Sequence, residues 1–222
     1  MKYRYDIFNR HPFHTHTLAI ELITKGSKIL DIGCATGYLA KELSQMECEV
    51  WGVDFDKKAI KKAEKYTKKA VAADFECLES LPFPRKYFDY VLLMDVIEHL
   101  RFPERIFNVV RRHVKKSGKL IISVPNIAHA SMRWSLFRGN FEYTTTGLMD
   151  STHYHFYTKK TFEETLAKNG FRIIKLLPTN GMTKVPFLRK VTDRIPAFWQ
   201  YKIACALPTL FSYQFVALVE VI

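Results

Sequence analysis

Short apolar runs alternate with amphipathic segments along most of the chain. The runs KILDIG, EVWGVDFD and AVAADF have the length and composition of buried strands. Between them, YLAKELSQM and the stretch from Asp56 to about Ala70 carry apolar residues at helical spacing. Strands that alternate with helices in this way form parallel βαβ units, so the first half of the chain predicts an α/β fold.

The same alternation continues towards the C-terminus. A strand YFDYVLLMDV, a helix RFPERIFNVVRRHV and a strand KLIISVPN are followed by a helix from Lys159 to Asn169, which Gly170 ends. Two further strands, FRIIKLLP and FSYQFVALVEVI, bring the strands to seven. We predict a Rossmann-like, mostly parallel sheet of seven strands, with an antiparallel last strand and helices on both faces.

Two stretches break this alternation and are interpreted as insertions on the substrate side. Residues 127–158 are rich in histidine, aromatic residues and glycine, and residues 181–209 are basic and aromatic. A polar arm and a short helix, HTLAIELI, occupy residues 1–26, and the core covers residues 27–125. Because 222 residues suit one domain and no Gly/Ser linker divides the chain, we predict a single domain.

The chain is basic, with 34 Lys and Arg against 22 Asp and Glu and a net charge of +12. This charge favours an acidic partner such as nucleic acid, anionic lipid or a phosphorylated substrate. Seven lysines lie in one predicted helix, where a solvated face is the ordinary interpretation: Lys57, Lys58, Lys61, Lys62, Lys65, Lys68 and Lys69. Residues 182–210 mix basic and aromatic side chains, which is typical of a lid that touches anionic lipid: Lys184, Arg189, Lys190, Arg194 and Lys202 with Phe187, Phe198, Trp199 and Tyr201.

Cysteine spacing and hydropathy predict a reducing, cytoplasmic setting, with any membrane contact peripheral at the inner face. The four cysteines are far apart in the sequence, and MKYRYDIFNR lacks the apolar region of a signal peptide. The run from Ile203 to Val219 has no charge, but Pro208 interrupts it and its second half is rich in β-forming residues. We therefore predict a final strand there instead of a membrane span.

A glycine-containing turn follows the first predicted strand, in ILDIGCATGYLA. Gly33 and Gly37 let the backbone turn tightly and approach a ligand, and the next helix begins with free N–H groups. Asp31 adds an acid to the same strand. Such a turn alone is a weak signal, and the GxGxxG spacing of dinucleotide sites is absent from the sequence.

The ends of the next two strands add acids suited to a nucleoside. Asp54 ends the second strand, where a carboxylate can accept both ribose hydroxyls, whereas Asp56 better suits the N-cap of the following helix. Asp74 and Phe75 follow the third strand and offer an acceptor for an exocyclic amine and a ring for adenine. Because ligands of open α/β sheets bind at the carboxyl ends of the strands, these groups are expected to converge.

Together these motifs resemble those of class I S-adenosylmethionine (SAM) dependent methyltransferases. LDIGCATG resembles the first motif, VDFD the second acid, ADF the adenine site and FDYVLLMDVIEHL the fourth-strand motif. The resemblance implies SAM as the cofactor, bound by a set that comprises Asp31, Gly33, Cys34, Gly37, Asp54, Phe55, Asp74, Phe75, Met94 and Asp95. Ala35 stands where many members have a middle glycine, and because alanine is small we expect binding to survive.

The substrate side is also interpreted by resemblance. Met94-Asp95-Val96 replaces the Asn-Pro-Pro-aromatic segment of base methyltransferases, so nucleic acid is not the expected acceptor. MDVIEHL resembles small-molecule enzymes, including ubiquinone-pathway O-methyltransferases. Residues 123–158 and 13–23 resemble a subgroup associated with glycosyltransferases in cell-surface polysaccharide pathways. We expect a saccharide or glycolipid hydroxyl as the acceptor; the alternatives are a quinone-like or lipid small molecule, or a SAM-binding module without catalysis.

Transfer to a hydroxyl requires alignment and a base for the acceptor's proton. Candidates are His99 after the fourth strand and, in the insertion, Asp150, His153 and His155, where the carboxylate could orient an imidazole. His153 is the first candidate for the base. The alternative is that these side chains only form hydrogen bonds with loop backbone.

Histidines are also metal ligands, and three of them lie in the N-terminal arm. His11, His14 and His16 could join His153 and His155 around Zn or Fe. No carboxylate or cysteine spacing completes a recognised ligand set, so we predict no metal. We expect His16 to position the N-terminal arm over the cofactor.

Overall fold

The computed structural model describes residues 8–77, 80–185 and 189–222, without the side chains of residues 189 and 190. In these residues the sheet has the strand order β3-β2-β1-β4-β5-β7-β6. Strands β1 to β5 are parallel, and β7 runs antiparallel between β5 and β6. The predicted seven-stranded, mostly parallel sheet is confirmed. Its strands are β1 (Lys28–Ile32), β2 (Glu49–Asp54), β3 (Lys69–Ala72), β4 (Phe88–Met94), β5 (Val114–Pro125), β6 (Phe171–Asn180) and β7 (Ser212–Val221).

Helices cover both faces of the sheet because successive strand residues point to opposite sides. Leu30 of β1 joins one apolar cluster with Phe107 and Phe162, and Ile29 joins the other with Leu18 and Leu39. The α-helices of the described residues are α1 (Thr15–Ile20), α2 (Tyr38–Gln45), α3 (Lys57–Ala63), α4 (Pro103–His113), α5 (Ala130–Phe137), α6 (Lys159–Lys168), α7 (Arg189–Thr192), α8 (Ala197–Ala206) and α9 (Pro208–Phe211), and short 3₁₀ helices cover Ile97–His99 and Met182–Lys184.

The helix predicted from Asp56 to about Ala70 is shorter in the structure and ends at Ala63. Asp56 is its N-cap, as expected, and accepts a hydrogen bond from the Lys58 backbone N–H at 2.7 Å. Ala70 instead belongs to β3, where it pairs with Gly52 of β2. The predicted helix was therefore wrong at its C-terminal end, because strand pairing overrides the helix propensity of a Lys- and Ala-rich sequence.

Both insertions leave the carboxyl edge of the parallel strands, where ligands bind in such sheets. The first begins after β5 and contains α5; the second begins after β6 and contains α7, α8 and α9. The buried Asn126 links them, since its Nδ2 donates to the carbonyls of Ser212 at 2.8 Å and Thr209 at 3.1 Å. In the part of the chain that is described, no helix has the length and hydropathy to cross a membrane.

Candidate active site

The turn after β1 depends on two glycines with left-handed backbone. Gly33 has φ +79° and Gly37 has φ +77°. A Cβ on Gly33 would lie 2.6 Å from Val96 Cγ2, and one on Gly37 would lie 2.9 Å from Ala63 Cα. The backbone N–H of Gly33 also donates to the Val53 carbonyl at 2.8 Å, which joins the turn to β2. Side chains at these two positions would thus be excluded both by conformation and by space.

Ala35 adopts a left-handed backbone conformation, at the position where many members of the resembling family have a glycine. Its φ is +47°, which costs a non-glycine residue about 1–2 kcal/mol. Its backbone N–H donates to Asp54 Oδ2 at 2.8 Å, and this charge-assisted bond helps to hold the strained turn. The neighbouring Cys34 side chain is buried and faces Gly52, so only its backbone lines the turn.

Asp54 ends β2 directly beside the turn and is buried. Its Oδ1 accepts the Asp56 backbone N–H at 2.9 Å, while its Oδ2 accepts that of Ala35. Asp54 thus lies beside the glycine turn at the carboxyl end of β2, the edge where open α/β sheets bind ligands. The position therefore fits the ribose role that the resemblance implies.

Asp31 lies under the same turn and is fully buried. Its Oδ2 has no hydrogen-bond partner among the described residues. Burial, and secondly the nearby Asp54, raise the pKa of Asp31 from 3.8 to about 7. An unpaired carboxylate next to another carboxylate favours a cation, and SAM carries both a sulfonium and an ammonium group. This orphaned oxygen fits the cationic cofactor that the resemblance implies.

Phe75 was predicted to stack on adenine and Phe55 to belong to the cofactor-binding set, and the structure places the two rings differently. Phe75 is buried in the larger apolar cluster, whereas Phe55, directly after β2, is 54% exposed. Asp74 follows β3 and is exposed, and its Oδ1 accepts the Glu76 backbone N–H at 2.9 Å. At this edge Phe55 is thus the ring that a nucleobase could reach, with Asp74 one strand further out.

The end of β4 places Asp95 at the centre of a hydrogen-bond network. Asp95 follows the buried Met94 and has φ +54°. Ser123 of β5 donates to its Oδ1 at 2.6 Å, and Gln214 of β7 donates to its Oδ2 at 2.8 Å. Thr15 of α1 in turn donates to Gln214 Oε1. Sequence reasoning missed these three partners, because only the folded sheet brings the ends of β4, β5 and β7 together.

The N-terminal helix closes over the glycine turn through His16. This side chain is buried, and burial lowers its pKa to about 4, so the imidazole is neutral. His16 Nε2 lies 3.1 Å from the hydroxyl of Tyr38, the residue directly after Gly37. This contact joins the N-terminal helix to α2, and the role of His16 in positioning the arm over the cofactor stays a prediction. The ring of His14 packs beside it, with centroids 5.2 Å apart.

The predicted catalytic histidines divide into a pair and a separate residue. The rings of His99 and His153 are 4.6 Å apart, whereas His155 Nε2 faces the Arg101 carbonyl at 3.2 Å. Asp150 reaches the pair through Thr152, whose hydroxyl lies 2.6 Å from Asp150 Oδ1 and 3.0 Å from His99 Nδ1. The carboxylate therefore orients His99 indirectly.

Glu98 completes this group and was missed in the sequence. It has 0% exposure, and neither carboxylate oxygen has a partner among the residues that the structure describes. Burial, and then Asp95, raise its pKa well above the usual range. One ligand atom each from Glu98, His99 and His153 lie within 4.8 Å of one another. The only sequence signal was an acid directly before a histidine in MDVIEHL.

A cavity of about 430 Å³ lies between α5, the following loop and the start of β7. Its lining is mixed, with polar and apolar groups: Ser131, Met132, Trp134, Ser135, Arg138, Asn140, Glu142, Thr144, Thr146, Leu148, Met149 and Tyr213. Tyr213 directly precedes Gln214 of the Asp95 network, and Met149 packs near Phe156, whose ring contacts His153. The cavity thus adjoins the edge of the sheet that carries Asp95 and His153.

This sheet order, with a glycine turn at the carboxyl edge of the parallel strands, is the Rossmann-like methyltransferase fold. The chain belongs to the methyltransferase domain family, whose sequence profile matches residues 3–176. This match, and a fold shared with SAM-dependent methyltransferases, support the class that the motifs predicted.

Similar curated proteins are ubiquinone biosynthesis O-methyltransferases. Chromobacterium violaceum has one 30% identical over 105 residues, 46% of this chain and 45% of the relative. Another, from Bradyrhizobium diazoefficiens, is 34% identical over 104 residues, which are 46% of this chain and 41% of the relative. One from Bartonella bacilliformis is 27% identical over 184 residues, which are 81% of this chain and 70% of the relative. The chain thus spans less than half the length of the first two relatives.

Solved structures show the same fold over nearly the whole chain. A SAM-dependent methyltransferase from Archaeoglobus fulgidus has a TM-score of 0.61 at 24% identity and covers 94% of this chain and 95% of its own. One from Thermotoga maritima has a TM-score of 0.65 at 16% identity, with coverage of 95% and 89%. At these identities the likeness concerns the fold.

Proposed function

We propose that the chain methylates a hydroxyl group of a quinone-precursor-like small molecule. The observation that supports it most is the group of Glu98, His99 and His153 beside Asp95, at the edge where this class binds SAM. The names of the relatives support the quinone-like acceptor, which the sequence offered as an alternative to a saccharide.

SAM, when bound, supplies a methyl group on a sulfonium; the acceptor oxygen forms the new C–O bond as the C–S bond breaks, and S-adenosylhomocysteine is released. The chain aligns the reactants, and it either accepts the hydroxyl proton or makes the hydroxyl group more acidic. Asp54 and the turn from Gly33 to Gly37 anchor the nucleoside, and Asp31 offers its unpaired oxygen to the cationic end. Asp95, held by Ser123 and Gln214, lies at the edge where the methyl group would be transferred.

A saccharide acceptor remains the second candidate because of the cavity lining. Hydroxyl and amide groups of Ser131, Ser135, Asn140 and Thr144 suit a polyhydroxylated ligand. The resemblance of residues 123–158 to the glycosyltransferase-associated subgroup points in the same direction. Trp134, Met132 and the other apolar residues of the lining suit an aromatic ring instead.

Exposed aromatic and basic side chains support the proposal that residues 182–210 form a lid that contacts anionic lipid. Phe198 and Trp199 of α8 are more than half exposed, and Lys202 Nζ lies 5.4 Å from the Phe198 ring. Tyr201 does not belong to this surface, because it stacks on Phe13 with centroids 4.1 Å apart. Phe187 lies outside the described residues, as do the side chains of residues 189 and 190. A lipid-linked acceptor would be presented from such a surface.

Methyl-labelled SAM, offered with a prenylated aromatic alcohol or with a saccharide-lipid fraction, tests the acceptor class. We expect label in the aromatic acceptor. His153→Gln should abolish at least 90% of transfer while SAM affinity is retained, since the residue lies on the acceptor side. His155→Gln is the matched control and should transfer normally, because its ring faces the Arg101 carbonyl. Transfer to the saccharide fraction alone would refute the quinone-like acceptor, and unchanged transfer by His153→Gln would refute the role of the histidine group.

A further inference from the structure

Glu98 presents an energetic problem that the methyl-transfer chemistry does not solve. Its carboxyl group is completely buried, and both oxygens lack a hydrogen-bond partner in the described ranges. A buried charge without a partner costs several kcal/mol, and even a protonated carboxyl would leave its proton without an acceptor. Native proteins tolerate such groups when an ion or a ligand completes them.

We propose that Glu98, His99 and His153 bind one divalent transition-metal ion of the Zn²⁺ or Fe²⁺ type. One ligand atom from each residue already lies within 4.8 Å of the others. A tetrahedral ion with ligands at 2.0–2.1 Å holds them about 3.3 Å apart, so side-chain shifts of roughly an ångström or less complete the site. This differs from the prediction of no metal, because Glu98 was not recognised as a ligand.

The surroundings of His99 match those of a metal-binding histidine. Its Nδ1 lies 3.0 Å from the Thr152 hydroxyl, which donates to Asp150 Oδ1 at 2.6 Å. The ring can therefore donate Nδ1–H to Thr152 and keep Nε2 unprotonated for an ion. Metal-bound histidines usually have such a partner on the second nitrogen, because it fixes the tautomer and the ring orientation.

Charge and ligand chemistry select the kind of ion. Asp95 and Asp150 both act on Glu98 electrostatically, so the region favours added positive charge. Two imidazoles with one carboxylate suit zinc or iron, whereas magnesium and calcium prefer a set of oxygen ligands. Three protein ligands leave at least one coordination position open, as in catalytic metal sites.

The open position gives the ion a use in the reaction. This step rests on the proposed function: the acceptor hydroxyl would bind the ion and lose its proton to water more readily, as metal-bound water does. The oxygen would then attack the methyl carbon. His153 would be a metal ligand and not the general base that the sequence suggested.

Metal binding can be measured without any acceptor, which separates this inference from the proposed function. The full chain, stripped with a chelator, is titrated with Co²⁺ and followed by visible absorption, then with Zn²⁺ in competition. We expect one equivalent to bind. Glu98→Gln and His153→Gln should each weaken binding at least tenfold, whereas His155→Gln should bind as the unchanged chain does.

Thermal unfolding and SAM titration of each variant verify that it is folded. If Glu98→Gln fails to fold, the less buried His153→Gln still decides the matter. Binding of substantially less than one equivalent, or equal affinity in folded His153→Gln, would overturn the metal site. Methyl transfer without any bound metal would leave the proposed function intact and remove only the use of the ion in the reaction.

Discussion

Replacing Asp31 with asparagine should stabilise the protein at pH 8 without SAM and weaken SAM binding. The folded-state pKa of about 7 lies above the ordinary 3.8, so the folded state binds more protons between about pH 4 and pH 7. Stability consequently falls as pH rises through this window. The difference between 3.8 and about 7 corresponds to at most about 4 kcal/mol at pH 8.

Asparagine has nearly the same shape and cannot ionise, but its amide would leave one buried polar group unpaired, at about 1–3 kcal/mol. We therefore expect a net gain of about 1–3 kcal/mol at pH 8 and a net loss of about 1–3 kcal/mol at pH 4, where the unchanged chain has no ionisation penalty to remove. Urea unfolding at the two pH values measures this difference. The matched control Asp74→Asn changes an exposed carboxyl and should leave stability almost unchanged.

The same substitution should remove the pH dependence of SAM binding. A cationic ligand favours the ionised Asp31, so affinity in the unchanged chain should rise up to tenfold per pH unit below about pH 7. Calorimetric titration of Asp31→Asn should give weaker binding with little variation over this range. A variant that is less stable at pH 8, or that binds SAM with unchanged pH dependence, would refute this reasoning.

Three further substitutions test the turn, the Asp95 network and the lid. Ala35→Val should lower the free energy of unfolding in urea by about 2 kcal/mol or more and abolish SAM binding, because a β-branched residue tolerates positive φ poorly. The control Ala35→Gly should retain both stability and SAM binding. Equal stability of the two variants would contradict backbone strain at this position. Gln214→Leu should raise the KM for SAM about tenfold by releasing Asp95, and an unchanged KM would exclude that role. Trp199→Ser should reduce flotation with anionic vesicles at low salt while the melting temperature stays the same; equal flotation would remove the lipid contact.

The order of strands and helices could be predicted because the apolar pattern and the sheet agree in most segments. The exception was the helix from Asp56, where lysine and alanine continue a good helical sequence beyond Ala63. Pairing of Ala70 with Gly52 decides the structure there, and such a contact between distant residues leaves no local signal.

The contact between the glycine turn and Asp54 could be predicted for a related reason, since both follow strand ends within continuous motifs. The glycine turn and Asp54 meet as the motifs implied. The exposed ring is Phe55, while Phe75 fills the core, because side-chain direction depends on packing that the motif does not specify. Gln214 and Glu98 were missed because their significance comes from partners elsewhere in the chain.

Methyl transfer to a hydroxyl group is measured most simply with methyl-labelled SAM and defined acceptors. With a prenylated aromatic alcohol, we expect an O-methyl ether and an equal amount of S-adenosylhomocysteine, with product strongly reduced in His153→Gln but not in His155→Gln. Binding of SAM without label in any aromatic, lipid or saccharide hydroxyl would contradict O-methylation by this chain.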